Sequence, residues 1–351
     1  MEQLRAWFLQ EKRSFPWRQE RSPYRVLISE VMLQQTQSAR VILYFERWLE
    51  RFPDIATLAR APLSDVLKMW EGLGYYSRAR ALHSTARIVV DRFSGVLPSD
   101  PDALRSLPGM GPYTTAAVLA FGFEERAFAV DANVARVLAR FFGIRTEIYS
   151  PKARSTLEAR GLTLLPGRRP WEVAEAFIEL GACMCTPRQP RCIECPLADK
   201  CCAARNKTTH LIPVKAPRMQ YEKLYREVTV IVCEDKVLLR KCPPGEIMQD
   251  LWEFPYFETD KDGRSNVAVE QLIQSKLALR ASFQTALPPI AQSFTRFRVT
   301  LLPKVFQTNA KQQVSGYHWK SLSDHNRLPF SSGHKKIMKS FMSARIYGAS
   351  E

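Results

Sequence analysis

Leu107-Pro-Gly-Met-Gly111-Pro-Tyr-Thr-Thr-Ala-Ala117 governs how the first half of the chain folds. Two glycines sit in a tight turn between stretches of helical periodicity, and Pro112 suits the first turn of the second helix, where no amide hydrogen is needed. The pattern is that of a helix-hairpin-helix. Amides at the start of the second helix, with Gly109 and Gly111 allowing close approach, form a grip for a DNA phosphate that does not read sequence. The plainer alternative is a helix turn that uses glycine only for its left-handed backbone. Twenty residues later, in Ala129-Val-Asp131-Ala-Asn-Val-Ala-Arg136, Asp131 stands where a helix N-cap is expected, and capping alone accounts for an aspartate there.

Outward from this turn, apolar residues recur every three or four positions from residue 1 to about 205. This predicts an all-helical region with helices over 24–40, 41–51, 64–70, 78–92, 113–121 and 133–142. Residues 206–225 are basic and proline-bearing without periodicity, as an interdomain linker is. From 226 to 345 the pattern changes. Val228-Thr-Val-Ile-Val-Cys-Glu-Asp-Lys-Val-Leu-Leu-Arg240 reads as a hairpin turning at Glu234-Asp235, 297–306 as another strand, and 267–279 and 335–343 as helices, so this domain is α+β.

Cys185, Cys192, Cys195 and Cys201 crowd into one proline-punctuated loop with the spacing C-x6-C-x2-C-x5-C. Four thiolates so placed ligate a tetrahedral zinc or the corners of a 4Fe-4S cluster, and spacing leaves both open, with disulfides or free thiols as a third reading. Cys183, Cys202, Cys233 and Cys242 read as packing thiols. Lysine and arginine total 51 against 35 acidic residues, a net charge of +16 that points to a polyanion, nucleic acid ahead of an anionic membrane. No apolar run approaches the length of a spanning helix, and Met1-Glu-Gln-Leu-Arg-Ala-Trp-Phe lacks a signal-peptide core. The expectation is a cytoplasmic, nucleoid-associated protein that does not bind membrane, in a compartment where cysteines stay reduced.

Together these pieces resemble the helix-hairpin-helix DNA glycosylases that carry an iron-sulfur cluster, most specifically the adenine DNA glycosylase (MutY) family. Leu27-Ile-Ser-Glu30-Val-Met-Leu-Gln-Gln35-Thr36 resembles that family's catalytic helix and Gly72-Leu-Gly-Tyr75-Tyr-Ser-Arg-Ala-Arg80 its DNA-wedge turn. Phe15-Pro-Trp17-Arg18, the hairpin, Asp131 and the cysteines follow in family order across residues 1–205. The resemblance implies a glycosylase domain over 1–205, built from a six-helix barrel module at about 23–128 and a cluster lobe from 1–22 plus 129–205. It implies one 4Fe-4S cluster on Cys185, Cys192, Cys195 and Cys201, with a structural and DNA-docking role. Arg188, Arg191 and Lys200 of the cluster loop then face phosphates or simply solvent.

By the same resemblance Glu30 protonates N7 of a flipped adenine, and Asp131 meets the positive charge developing at C1′ as electrostatic stabiliser or nucleophile. Asn133 orients that carboxylate. Trp17 and Arg18 line the pocket, Glu175 binds adenine, and Tyr75 with Gln35 fills the space the base vacates. Related bifunctional enzymes carry a lysine nucleophile where this chain has Tyr113, so hydrolysis without efficient strand cleavage is expected. Ala132 stands where the family usually has glycine, which puts the local backbone in question.

Residues 226–345 resemble the MutT-like, Nudix-fold domain with which the family recognises 8-oxoguanine. Asp250-Leu-Trp-Glu-Phe-Pro255 carries the likeness, while the glutamate-rich Nudix box is missing, so no pyrophosphohydrolase activity is expected. Phe294-Thr295-Arg296 occupies the damage-reading loop, with arginine in place of the family's usual histidine, which implies altered discrimination between 8-oxoguanine and guanine. The implied partner is double-stranded DNA bearing A opposite 8-oxoguanine or G, bound by a monomer; no sequence feature identifies a repair or replication partner. Two rivals remain: a thymine or uracil mismatch glycosylase of the same superfamily, and a catalytically silent iron-sulfur DNA damage sensor.

Overall fold

The computed structural model describes residues 1–214 and 220–348. Its contacts divide the chain into two compact units, Met1–Ala61 with Ala81–Pro217, and Pro62–Arg80 with Arg218–Glu351. Two features differ from the expected boundaries. Residues 62–80, read as part of the helical domain and its barrel module, group with the C-terminal unit, and the first strand starts at Glu222, inside the stretch read as linker. Both differences come from tertiary partners that local periodicity does not encode. Among the described residues no helix is long and apolar enough to cross a membrane.

The first unit is helical. Ser22 caps the helix Pro23–Leu33 by accepting the Arg25 N–H at 3.2 Å, and Pro23 takes its first position. Every residue from Val26 to Met32 is buried, so this helix lies inside the domain rather than on its surface. It stops earlier than the periodicity predicted. Gln35 turns left-handed (φ 56°), and a second helix runs Ser38–Arg51, because the polar Gln34-Gln-Thr-Gln37 stretch is helix-compatible locally but has no buried face to hold it.

The hairpin forms as expected. Helix Pro101–Arg105, capped by Asp100, leads into a turn where Gly109 takes φ 76°, and helix Pro112–Ala117 follows with proline in its first turn. A side chain on Gly109 would meet the Ala81 methyl at 2.8 Å, so packing as well as φ demands glycine. Gly111 caps the second helix at φ −72° with open space beside it, and neither restriction applies there. The predicted helix 113–121 widens midway. From Val118 to Gly122 it becomes a π-helical turn, closed by the Phe123 N–H on the Val118 carbonyl at 3.1 Å.

Helix Pro170–Cys183 organises the rest of this unit. Its Glu172, Glu175 and Glu179 lie on one face and receive arginines from the N-terminal segment: Arg5 on Glu172, Arg18 and Arg21 on Glu175, Arg13 and Arg18 on Glu179. Glu179 is fully buried, and removing its cations would strand an uncompensated charge at a cost of about 3–5 kcal/mol.

The second unit contains a mixed sheet of eight strands: β1 (Glu222–Cys233), β2 (Lys236–Lys241), β3 (Trp252–Glu253), β4 (Tyr256–Thr259), β5 (Ser282–Ala286), β6 (Ile290–Phe294), β7 (Phe297–Gln307) and β8 (His318–Ser321). The order β3-β2-β1-β7-β5 forms the backbone of the sheet, with β4 on β1, β6 on β7 and β8 on β2. β1 and β7 pair in parallel, Val228 opposite Pro303, and the other pairs are antiparallel. Alternation along β1 feeds two cores. Val228, Val230 and Val232 join Ile337, Met338 and Phe341 of helix Ser332–Gly348, while Ile231 joins Val269, Ile273 and Leu277 of helix Asn266–Leu277. Helices on both faces of a sheet make this a layered α/β arrangement within an α+β domain.

Candidate active site

Eight of the predicted residues converge on one cavity of about 680 Å3 in the first unit: Trp17, Arg18, Glu30, Gln35, Tyr113, Asp131, Asn133 and Glu175. Its volume lies within the ~300–1,000 Å3 of small-molecule clefts. Phe121, from the π-helical turn, and Ala132 complete parts of the wall, and among the described residues the lining holds no lysine.

Glu30 is buried on the internal helix, and the Tyr113 hydroxyl donates to its Oε2 at 2.6 Å. Burial pushes its carboxyl from an ordinary 4.5 to about 7. The Tyr113 hydrogen bond and the Arg18 charge pull back, while Glu175 and Asp131 push further. Tyr113 is held well above its usual range by burial and by the negative Glu30, Asp131 and Glu175, so the phenol stays neutral. Arg18, the cation nearest in effect, spends its own hydrogen bonds on Glu175 at 2.7 Å and Glu179 at 2.8 Å. The outcome is a carboxylic acid that keeps a proton near neutral pH.

Asp131 caps helix Ala132–Phe142, accepting the Val134 N–H on Oδ1 at 2.7 Å while Asn133 Nδ2 donates to Oδ2 at 3.0 Å. Capping and cavity lining therefore belong to the same carboxylate, and the predicted Asn133 contact is present. Ala132 follows with ordinary helical geometry as the first residue of the helix, so the doubt about a missing glycine finds no strained backbone here. Asn133 in turn accepts Arg136 at 3.0 Å, and Arg136 donates onward to the carbonyls of Gly181 at 2.7 Å and Cys185 at 2.9 Å. Glu175 lines the cavity with both oxygens engaged by Arg18 and Arg21.

The four cysteines of the loop line a pocket of their own with Arg140, Met184 and Pro190, and none of the eight cysteines is in a disulfide. Cys195 is pushed up to about 11 by burial, then by the neighbouring Cys185, Cys201 and Cys192; Cys192 is raised by burial and Cys185, and Cys201 by burial, Cys185 and Cys192. Mutual repulsion of this kind is relieved when a cationic centre binds the thiolates. A single zinc at about 2.3 Å from each sulfur would bring them within ~4 Å of one another. Among the described residues, however, the one group of three ligand atoms within 4.8 Å is Cys242, Glu246 and Glu253, so the loop cysteines are spread more widely. Four thiols around one loop pocket suit a metal ion or an iron-sulfur core. Arg140, buried, donates to Cys185 Sγ at 3.3 Å and to the Thr186 and Pro187 carbonyls, which fixes the loop from behind.

Tyr75, Phe294 and Thr295 belong to the second unit. Tyr75 is 48% exposed at φ 48°, and Thr295 has φ 48° in the β6–β7 turn, where Arg296 stacks over Phe297 at 5.2 Å. At Cys242, Glu246 and Glu253, Arg240 pairs with both glutamates.

Arg13, Arg21, Glu179, Arg136 and Arg140 were not anticipated. The signal was available: three acids spaced along one face of an apolar helix, and two arginines four residues apart within Ala135-Arg-Val-Leu-Ala-Arg140, each call for buried partners.

Residues 28–161 match the HhH-GPD superfamily base excision DNA repair protein family, and 227–340 match the NUDIX domain. Adenine DNA glycosylase of Homo sapiens is 30% identical over 96% of this chain and 72% of its own length. The chain belongs to the adenine DNA glycosylase family. The family member from Buchnera aphidicola subsp. Schizaphis graminum (strain Sg) is 27% identical, over 96% of this chain and 97% of its own. A solved thermostable thymine-DNA glycosylase is 29% identical with a TM-score of 0.54, covering 58% of this chain and 94% of that one. The matched helical span contains Glu30, Tyr113 and Asp131; Trp17, Arg18, Glu175 and the cysteines lie outside it.

Proposed function

We propose that this glycosylase hydrolyses the N-glycosidic bond of adenine mispaired with 8-oxoguanine, or with G, and leaves an abasic site uncleaved. The observation that carries the reading is Glu30, a buried acid near neutral pKa that shares one cavity with Asp131. Glu30 transfers its proton to N7 of the extruded adenine, so that the base departs neutral. As the bond to C1′ weakens, positive charge grows on the sugar. Asp131, held by the Val134 amide and Asn133, faces that charge as stabiliser or nucleophile until water completes the hydrolysis. Arg18, Trp17 and Glu175 hold the base, and Tyr75 with Gln35 fills the space it leaves.

A strand-cleaving lyase step needs an amine to form a Schiff base, and Tyr113 offers a neutral phenol in a lining without lysine. The loop cysteines Cys185, Cys192, Cys195 and Cys201 hold a 4Fe-4S cluster, with Arg140 as hydrogen-bond donor to Cys185. When bound, the cluster supplies a four-point cross-link of the loop, which aims Arg188, Arg191 and Lys200 at phosphates beside the hairpin glycines Gly109 and Gly111. Phe294, Thr295 and Arg296 read the base opposite adenine.

Single-turnover assays on duplexes with A opposite 8-oxoguanine, A opposite G and T opposite G test this. The reading expects adenine release in that order, no thymine release, and no covalent adduct on borohydride reduction. Thymine release alone would favour the mismatch-glycosylase rival, to which the helical unit is also similar; tight binding with no release would favour a silent sensor.

A further inference from the structure

The turn that carries Tyr75 is bracketed by two buried side chains that hold the same backbone unit of the C-terminal domain. Glu71, before the turn, accepts the Phe330 N–H at 3.0 Å and pairs with Lys335; Tyr76, after it, donates its hydroxyl to the Phe330 carbonyl at 3.0 Å. Phe330 is itself fixed. It is buried in the core of the sheet, stacks with Phe254, and its neighbour Pro329 accepts the Trp252 N–H at 2.8 Å.

Between the two clamps the backbone is left-handed at Gly72 (φ 110°), Gly74 (φ 74°) and Tyr75 (φ 48°). Glycine adopts such values freely, but an aromatic residue does so only where its surroundings over-determine the conformation. Further donors serve the turn: Trp70 Nε1 to the Gly74 carbonyl at 3.0 Å, and Arg78 to the carbonyls of Leu73 and Gly74 at 3.2 and 3.1 Å. The Tyr75 ring is left half exposed, with Arg78 5.6 Å from its centre. Every one of these residues belongs to the unit formed by Pro62–Arg80 and Arg218–Glu351.

We propose that Glu71 and Tyr76 are positioning residues through which the C-terminal domain presents Tyr75 to the duplex, so that the domain reading the opposite base also sets the residue that replaces the extruded one. This rests on the reading of Tyr75 as the residue that enters the base stack. The domain then has two tasks, recognition and support of extrusion, joined through the backbone of Phe330.

The test uses the full chain and a duplex with 2-aminopurine in place of the target adenine opposite 8-oxoguanine, whose fluorescence rises as the base unstacks. Tyr76→Phe and Glu71→Leu, each of which removes a hydrogen bond to Phe330, are expected to slow extrusion about tenfold, and Lys335→Met about twofold to threefold. Affinity for a duplex carrying an abasic analogue opposite 8-oxoguanine, where nothing needs extruding, should stay within about twofold, since losing one clamp removes one hydrogen bond rather than the fold. Wild-type extrusion in Tyr76→Phe and Glu71→Leu would overturn the proposal. So would an equal loss of extrusion and of abasic-duplex affinity, which marks a merely structural role. Tyr75→Ala separates the two layers: if it extrudes at the wild-type rate, the reading of Tyr75 has failed, and the positioning role falls with it.

Discussion

Glu30 in the helical unit and Glu227 in the sheet are both buried glutamates, yet the chain treats them in opposite ways. Glu227, fully buried on β1, is met by Lys304 at 2.9 Å, by Arg264 at 3.2 Å and by the Arg264 amide at 2.8 Å. Glu30 receives a neutral phenol, and the arginine closest in effect is committed to Glu175 and Glu179. Glu227 spends its oxygens on ion pairs that hold the strand to its neighbours. A buried carboxyl without cations keeps its proton, and the cost of burying it becomes a reservoir of acidity. The difference lies in the partners that the fold delivers to each glutamate.

The largest effect expected from breaking this contrast is Glu30→Gln. Losing the proton donor should slow single-turnover adenine release about 10²–10⁴-fold, while thermal stability near neutral pH should rise, because no cation is orphaned and the linkage cost of a buried carboxyl with a raised pKa is gone. Asp131→Asn comes next. Asparagine caps a helix as well as aspartate, so stability should move by less than about 1 kcal/mol. Removing the negative charge that faces C1′ should still cost about 10²–10³ in rate. A matching loss of stability would mean that Asp131 serves mainly as a cap.

Glu227→Gln should show the reverse profile: a stability loss of about 3 kcal/mol in denaturant unfolding, from two stranded cations, with single-turnover release unchanged under conditions where the chain is folded. Smallest is Tyr113→Phe. Its hydroxyl lowers the Glu30 pKa, so removing it should carry the alkaline limb of the pH–rate profile upward by about one unit or less, the worth of one hydrogen bond. A downward shift would show that the phenol stabilises the neutral acid instead.

Sequence patterns were most informative where one local signal and one tertiary demand agree. The hairpin turn, the Asp131 cap and the β1–β2 hairpin at Glu234 all combine a backbone requirement with a residue type suited to it, and each forms as expected. The break at Gln35 and the grouping of residues 62–80 with the sheet were not legible. The first depends on where burial stops, and the second on partners some 250 residues away such as Phe330. In the active site the chemical groups could be read from motif order, while the reason Glu30 is acidic could not. That reason is first the burial of Glu30 and then the commitment of Arg13, Arg18 and Arg21 to Glu175 and Glu179, both matters of packing between segments far apart in the chain.

The most direct test is the pH dependence of single-turnover adenine release, read beside thermal stability across the same range. A folded-state pKa raised to about 7 means that the protonated acid is favoured in the folded protein. Its contribution to stability is full below the ordinary carboxylate pKa and is lost as pH rises towards and through 7. The rate should therefore fall about tenfold per unit above pH 7 as Glu30 loses its proton, with stability declining between about 4.5 and 7 in wild type and that decline absent in Glu30→Gln. A rate that stays flat from pH 6 to 9 in wild type would contradict the assignment of Glu30 as the acid.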